Sequence, residues 1–269
     1  MRFKIEFAAV SDTGKVRSKN EDSYLVDDDL ELAMVADGMG GHNSGEVASS
    51  MAVKITRDKY SSMRRTGMKP SQYKPRFSLQ SNQLGFAVQL VNSVIYEAGN
   101  SSGENRGMGT TLSAVLLNRT SLCIAHIGDS RVYIFRAGVL QQLTEDHSLV
   151  MEHVRKGLLT REQAETSPLQ NILTRALGTQ KAPLVDILET VLEAGDRLLL
   201  CTDGLFKAVS EAEMAETLRT QADNQKACDA LASAANAKGG PDNITVVIGS
   251  VRKKTFKEIV KDIYRKSYA

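Results

Sequence analysis

Four times along this chain an apolar segment of strand length meets an aspartate beside or near a glycine. Leu32-Ala33-Met34-Val35-Ala36 stops at Asp37-Gly38, and the apolar run 198–202 stops at Asp203-Gly204. The run 124–127 enters Gly128-Asp129-Ser130-Arg131, and Gly239-Gly240-Pro241-Asp242-Asn243 directly precedes the run 244–248. Short apolar runs bounded by turn residues read as buried strands. Each one brings a carboxylate to a strand terminus, where glycines let a carbonyl or a phosphate approach closely. A single Asp-Gly pair is also an ordinary turn signal; the recurrence is what constrains the fold.

Four such aspartates at one rim of a sheet make a negative cluster that cations must neutralise, since unpaired buried charge is strongly disfavoured. All-oxygen ligands select magnesium or manganese, and no His/Cys set at zinc spacing competes. Two such ions about 3.5–4 Å apart are the usual device for in-line displacement at phosphorus. A bidentate cationic fork then holds the phosphate, which is arginine's role. Arg17, just ahead of Asn20-Glu21-Asp22, is the candidate, with a solvated surface charge as the alternative.

Taken in order, residues 3–10 alternate as a strand, and 24–36 read as a hairpin with Asp27, Asp28 and Asp29 at its turn. Helical spacing covers 46–60, with Val47, Met51 and Ile55 on one face, and 83–99, with Leu84, Val88, Val91 and Ile95. Between them, 61–82 reads as a basic surface excursion. Strands are expected at 110–117, 121–127, 131–135, 185–192, 196–202 and 244–251. The segment 144–182 carries helical fragments near 148–156 and 160–165, and 210–237 reads as one alanine-rich helical stretch. Strands at both ends with paired helices between them predict one compact α+β domain over 1–251.

Composition sets outer limits. A hydrophobic share of 42% and a charged share of 25% are ordinary for a globular chain, and a net charge of +2 gives no argument for nucleic acid. No apolar run is long enough for an integral membrane segment, and the N-terminal residues lack the apolar stretch of a secretory signal. Cys123, Cys201 and Cys228 are scattered, which suits buried thiols in a reducing, cytoplasmic setting. The tail 252–269 spaces Phe256, Ile259, Val260 and Ile263 helically among lysines and arginines. It fits a helix packed on the domain, or a basic amphipathic helix docked on a partner or an anionic surface.

The ordered series Arg17-x-x-Asn20-Glu21-Asp22, Asp37-Gly38-Met39-Gly40-Gly41, Gly109-Thr110-Thr111, Gly128-Asp129-Ser130-Arg131, Leu143-Thr144-x-Asp146-His147-Ser148, Thr202-Asp203-Gly204 and Asp242-Asn243-Ile244-Thr245 resembles the metal-dependent (PPM, type-2C) serine/threonine protein phosphatases. The likeness is greatest to their bacterial branch, because Met39 stands where many eukaryotic members carry histidine. The resemblance implies two antiparallel β-sheets packed together with helices on both outer faces. It implies two catalytic Mg²⁺ or Mn²⁺ ions held by Asp37, the Gly38 carbonyl, Asp203 and Asp242, with Asp129 and Asp203 at a third, weaker site. Glu21 would hold metal-bound water with Asp22 in support, and Arg17 would bind the substrate phosphate.

The expected activity is then hydrolysis of phosphoserine and phosphothreonine in proteins by direct attack of a metal-bridging hydroxide. Phosphorylated proteins and a serine/threonine kinase would be the partners of a monomeric enzyme, with 144–182 as a mobile flap. Two other functions stay open: a silent phosphoprotein-binding module of the same fold, and a metallophosphatase for small phosphoesters. The leaving-group acid is unassigned, with His42 three residues beyond Met39 as one option, while His126, His147 and His153 read as structural.

Overall fold

The apolar runs do form strands, and the computed structural model, which describes residues 2–40, 44–101, 103 and 105–260, arranges them in two sheets. The chain starts with β1 (Phe3–Asp12), β2 (Asp22–Asp27) and β3 (Leu32–Met39), then two long helices, α1 (Ser44–Thr66) and α2 (Leu79–Ser101). A run of β structure follows: β4 (Gly109–Thr110), β5 (Leu112–Asn118), β6 (Ser121–Ile127), β7 (Arg131–Arg136) and β8 (Val139–Gln142). Two short helices, α3 (Leu149–Arg155) and α4 (Arg161–Glu165), precede β9 (Asp186–Val191) and β10 (Arg197–Cys201). The fold closes with α5 (Asp203–Phe206), α6 (Glu211–Thr220), α7 (Asn224–Ala237) and β11 (Ile244–Lys253).

One sheet has the order β1-β11-β10-β7-β8 and the other β2-β3-β5-β6-β9, with β4 paired to the end of β3. Every neighbouring pair is antiparallel. Period-2 alternation explains why the runs are apolar throughout. Leu32, Met34 and Ala36 of β3 pack with α1 and α2, while Ala33 and Val35 meet the opposite sheet at Val132, Leu198, Leu200 and Val247. On the far side, Leu199, Cys201, Val246 and Ile248 pack beneath α6 and α7. Three apolar layers result, each side chain contributing about 1.5–3 kcal/mol when fully removed from water. This is the four-layer helix–sheet–sheet–helix architecture that the resemblance implies.

Several elements differ from the sequence reading. The buried face of α1 is Ala48, Ala52, Val53, Thr56 and Tyr60, and Val47 is 40% exposed. Small alanines let the helix axis approach the sheet; Met51 and Ile55 still pack, partly buried, against that core, while Val47 turns outward. The surface excursion shortens, because α1 continues to Thr66 and α2 begins at Leu79. The stretch 210–237 is two helices: Asp223 caps α7 by accepting a hydrogen bond from the Lys226 amide at 2.8 Å, and that cap breaks the run. Strand β8 went unread because it is short and half exposed. Strand β11 runs two residues past the expected boundary at 251. Of the tail's expected apolar face, Phe256 is 81% exposed, and Ile263 lies outside the described residues.

Candidate active site

The aspartates do converge, but from both sheets and not from one rim. β3 and β6 end at the same edge of one sheet, where they carry Asp37 and Asp129. β10 ends and β11 begins at the matching edge of the other, which brings in Asp203 and Asp242. These four line one cavity of about 510 Å³ together with Arg17, Glu21 and Gly38. The opposite wall comes from the segment after α4, through Asn171, Leu173, Thr174, Ala176, Thr179 and Gln180.

Local hydrogen bonds position the segments that carry these side chains. The Asp37 amide donates to Thr111 Oγ1 at 2.8 Å, and the Asp37 carbonyl accepts from Thr110 Oγ1 at 2.8 Å. Asp22 lies directly across the β2–β3 ladder from Asp37 and is buried behind it. Its Oδ2 accepts hydrogen bonds from the hydroxyls of Thr202 and Thr245, both at 2.7 Å, which tie β2 to β10 and β11. Asn243 holds the loop bearing Glu21: its Oδ1 accepts from the Glu21 amide at 2.8 Å, and its Nδ2 donates to the carbonyls of Thr13 and Lys19. Gly38 is required by close approach, since a Cβ there would strike the carbonyl oxygens of Gly45 and Glu21.

The charge balance in the cleft is strongly negative. Burial, followed by the charges of Asp203, Asp22 and Asp129, pushes the Asp37 carboxyl well above its ordinary range. Burial likewise raises Asp129 to about 7, with Asp203 adding to the shift, and raises Asp22 to about 7 against the pull of its two threonine hydrogen bonds. Burial also raises Glu21, partly offset by Arg17. Two cations answer this charge. Arg17 Nη2 is 2.9 Å from Asp242 Oδ2, and Lys207 Nζ is 2.5 Å from Asp203 Oδ2. Burial works against the Lys207 ammonium, but the Asp203 carboxylate outweighs it and raises the lysine.

Among the described residues the buried Oδ1 of Asp203 has no hydrogen-bond partner. Among the described residues no three His, Cys, Asp or Glu side chains are already drawn around a single cation position, and the two cationic side chains hold Asp203 and Asp242 instead. An orphaned carboxylate oxygen beside carboxyls raised by burial and then by one another's charge is a donor set that suits hard divalent ions.

Two histidines have partners within the fold. His126 is buried between Ser113 Oγ and the Glu145 carbonyl, and burial lowers it to about 3. His147 accepts from the Gly128 amide at 3.1 Å and contacts Asp186 Oδ2 at 3.0 Å, bracing the turn that carries Asp129. His42 lies outside the described residues. Sequence reasoning missed Lys207 and Asn171. Lys207 follows Asp203 at the i, i+4 spacing of a helix, a visible signal once α5 is recognised.

Comparison with known proteins agrees with this geometry. Residues 15–242 match the family described as Protein phosphatase 2C. The chain is 40% identical over 241 residues to the serine/threonine phosphatase stp of Listeria innocua, covering 88% of this chain and 92% of that protein. It is 38% identical over 248 residues to the serine/threonine protein phosphatase PstP of Mycobacterium tuberculosis, covering 92% of this chain and 45% of that longer protein. The crystal structure of PstP/Ppp from M. tuberculosis superposes with a TM-score of 0.79 at 35% identity, covering 93% of this chain and 99% of that one. That of Stp1 from Staphylococcus aureus gives 0.81 at 32% identity, covering 94% and 98%. The chain belongs to the protein phosphatase 2C family and, with it, to the phosphoprotein phosphatases.

Proposed function

We propose that this chain hydrolyses phosphoserine and phosphothreonine in proteins with Mg²⁺ or Mn²⁺ as cofactor. The observation that carries the reading is the unpartnered, buried Oδ1 of Asp203 among Asp37, Asp129 and Asp242. Asp37, the Gly38 carbonyl, Asp203 and Asp242 would hold two ions, and Asp129 with Asp203 would offer a third position. When bound, such ions lower the pKa of water and neutralise the phosphoryl oxygens. A structure of PstP in complex with two manganese ions, 35% identical and with a TM-score of 0.76, supports the assignment.

The chain's own groups supply the rest. The Arg17 side chain is 54% exposed at the cleft mouth, where its guanidinium can fork a phosphate carried on a protein surface. Glu21, raised by burial and lining the cavity, would hold a water beside the ions. Asp22 positions Thr202 and Thr245 and so the strand ends beside Asp203 and Asp242. Covalent catalysis by cysteine finds no support: burial raises Cys123 to about 11 and Cys228 to about 12, and neither thiol lines the cavity.

In this reading residues 1–251 form one phosphatase domain, 144–182 its flap and 252–269 a tail. A serine/threonine kinase would supply the phosphorylated partners. Three free buried cysteines, and the absence among the described residues of any helix long and apolar enough to cross a membrane, suit a cytoplasmic site of action.

The test is hydrolysis of a phosphothreonine peptide with and without Mn²⁺, beside Asp203→Asn. Turnover that requires Mn²⁺, stops with EDTA and is lost in the variant is expected. Turnover that survives EDTA would refute the metal assignment, and a folded, metal-loaded but inert protein would favour the phosphoprotein-binding reading.

A further inference from the structure

Lys207 does more than balance charge. It reaches back one helical turn to Asp203 and is also held by Asn171 Oδ1, 2.7 Å from its Nζ, on the wall opposite the carboxylates. The side chain is only 28% exposed and anchored at both hydrogen bonds, so its ammonium occupies a defined position. That position lies within the field of Asp203, Asp129 and Asp37. Arg17 acts at the other end of the cleft, on Asp242.

The two oxygens of Asp203 are therefore unequal. Among the described residues Oδ2 accepts from an ammonium, while the buried Oδ1 has no hydrogen-bond donor. A carboxylate shared between neighbouring cations needs one oxygen for each. On Asp203 one of the two is already engaged by a cation that belongs to the chain. A divalent ion between Asp129 and Asp203 would have to displace Lys207 or lie against its like charge in a poorly solvated cleft, where such repulsion is weakly screened.

We propose that the Lys207 ammonium is a built-in cation that closes the Asp129–Asp203 side of the cluster, confining divalent ions to the Asp37–Asp242 side. The inference rests on the metal-dependent reading above and alters it in one respect: Asp129 faces a lysine and not a third ion. Asn171 makes the arrangement two-ended, because the clamp that fixes the ammonium also joins the segment after α4 to Asp203.

Counting Mn²⁺ bound at saturation to the full chain, by equilibrium dialysis and by the loss of free-ion paramagnetic signal, tests the idea without using activity. Lys207→Met removes the charge at similar length and is expected to bind about one more equivalent per chain, at least roughly tenfold tighter than any corresponding step in the wild type. Lys207→Arg, which keeps the charge, is expected to bind as the wild type does. Adding Asp129→Asn to Lys207→Met is expected to remove the extra ion. Lys207→Gln, which can still bond Asn171, repeats the count if the Met variant unfolds. An unchanged count in folded Lys207→Met or Lys207→Gln overturns the inference and leaves the metal-dependent reading standing. So does an added ion that survives Asp129→Asn. A wild-type chain that binds no divalent ion defeats both.

Discussion

Asp22 and Asp37 face each other across the β2–β3 ladder, two carboxylates on adjacent strands at the closed end of the cleft. Among the described residues neither forms an ion pair, and burial pushes both above the ordinary carboxylate range, Asp22 to about 7. An aspartate raised on folding favours the folded state while it is protonated. Its contribution is complete below the unfolded value near 4 and is lost as pH rises through the folded value. Asp22 and Asp129 therefore carry that loss from about pH 4 up through about 7, so that part of it still falls above pH 6.5.

The metal-free protein is thus expected to have a lower Tm at pH 8 than at pH 6.5 in EDTA, and Mn²⁺ is expected to reverse the trend by neutralising the cluster. His126 acts in the opposite sense, since a histidine lowered to about 3 by burial loses stability as pH falls below its unfolded value near 6.5. Starting at pH 6.5 keeps that effect small. Asp22→Asn is expected to flatten the decline in EDTA. A wild-type Tm that is level or rises over this interval would contradict the placement of these carboxyls.

Arg17 binds Asp242 through one nitrogen, leaving the rest of its fork at the cleft mouth, where the side chain is 54% exposed. A phosphate entering beside the carboxylates would exchange that contact for a bidentate one. Charged hydrogen bonds are worth about 1.5–3 kcal/mol, so Arg17→Ala is expected to raise KM for a phosphothreonine peptide about tenfold to a hundredfold. Arg17→Lys restores charge but not the fork and is expected to fall between. Steady-state kinetics at saturating Mn²⁺ reads the effect. An unchanged KM would return Arg17 to the role of a surface charge that steadies Asp242.

The parts of this site visible in the sequence are those tied to local pattern. Asp37 and Asp203 announce themselves because each follows an apolar run buried on both faces and stands beside a glycine, a pairing that recurs along the chain. That the four aspartates belong to two sheets could not be read, because strand order depends on pairings between residues far apart, such as Asp12 with Ile244. The threonines that hold Asp22 were equally hidden: Thr202 and Thr245 sit in motifs, but their shared target on β2 exists only once the sheets face each other. Lys207 escaped for another reason. Its partner Asn171 comes from an irregular segment whose path the side-chain pattern does not encode.

Asp146 shows how the segment between β8 and α3 is fastened beside the site. Arg131 donates to both of its oxygens, with Nη2 at 2.7 Å from Oδ2 and Nε at 3.0 Å from Oδ1. The same guanidinium bonds the Tyr133 hydroxyl and stacks 3.7 Å from the ring centre of Phe206, which lies on α5 three residues after Asp203. With side chains only 20% and 7% exposed, this pair sits in a setting where removing one partner leaves a stranded charge. Asp146→Ala is therefore expected to destabilise the fold by about 3 kcal/mol in urea unfolding, far more than a surface ion pair would. Because Arg131 also orients Phe206, the variant is expected to weaken Mn²⁺ binding in proportion to the disorder it brings to α5. Asp146→Asn, which keeps the acceptor oxygen, is expected to retain most of both. A loss of stability with undiminished Mn²⁺ affinity would show that α5 holds Asp203 in place without this anchor.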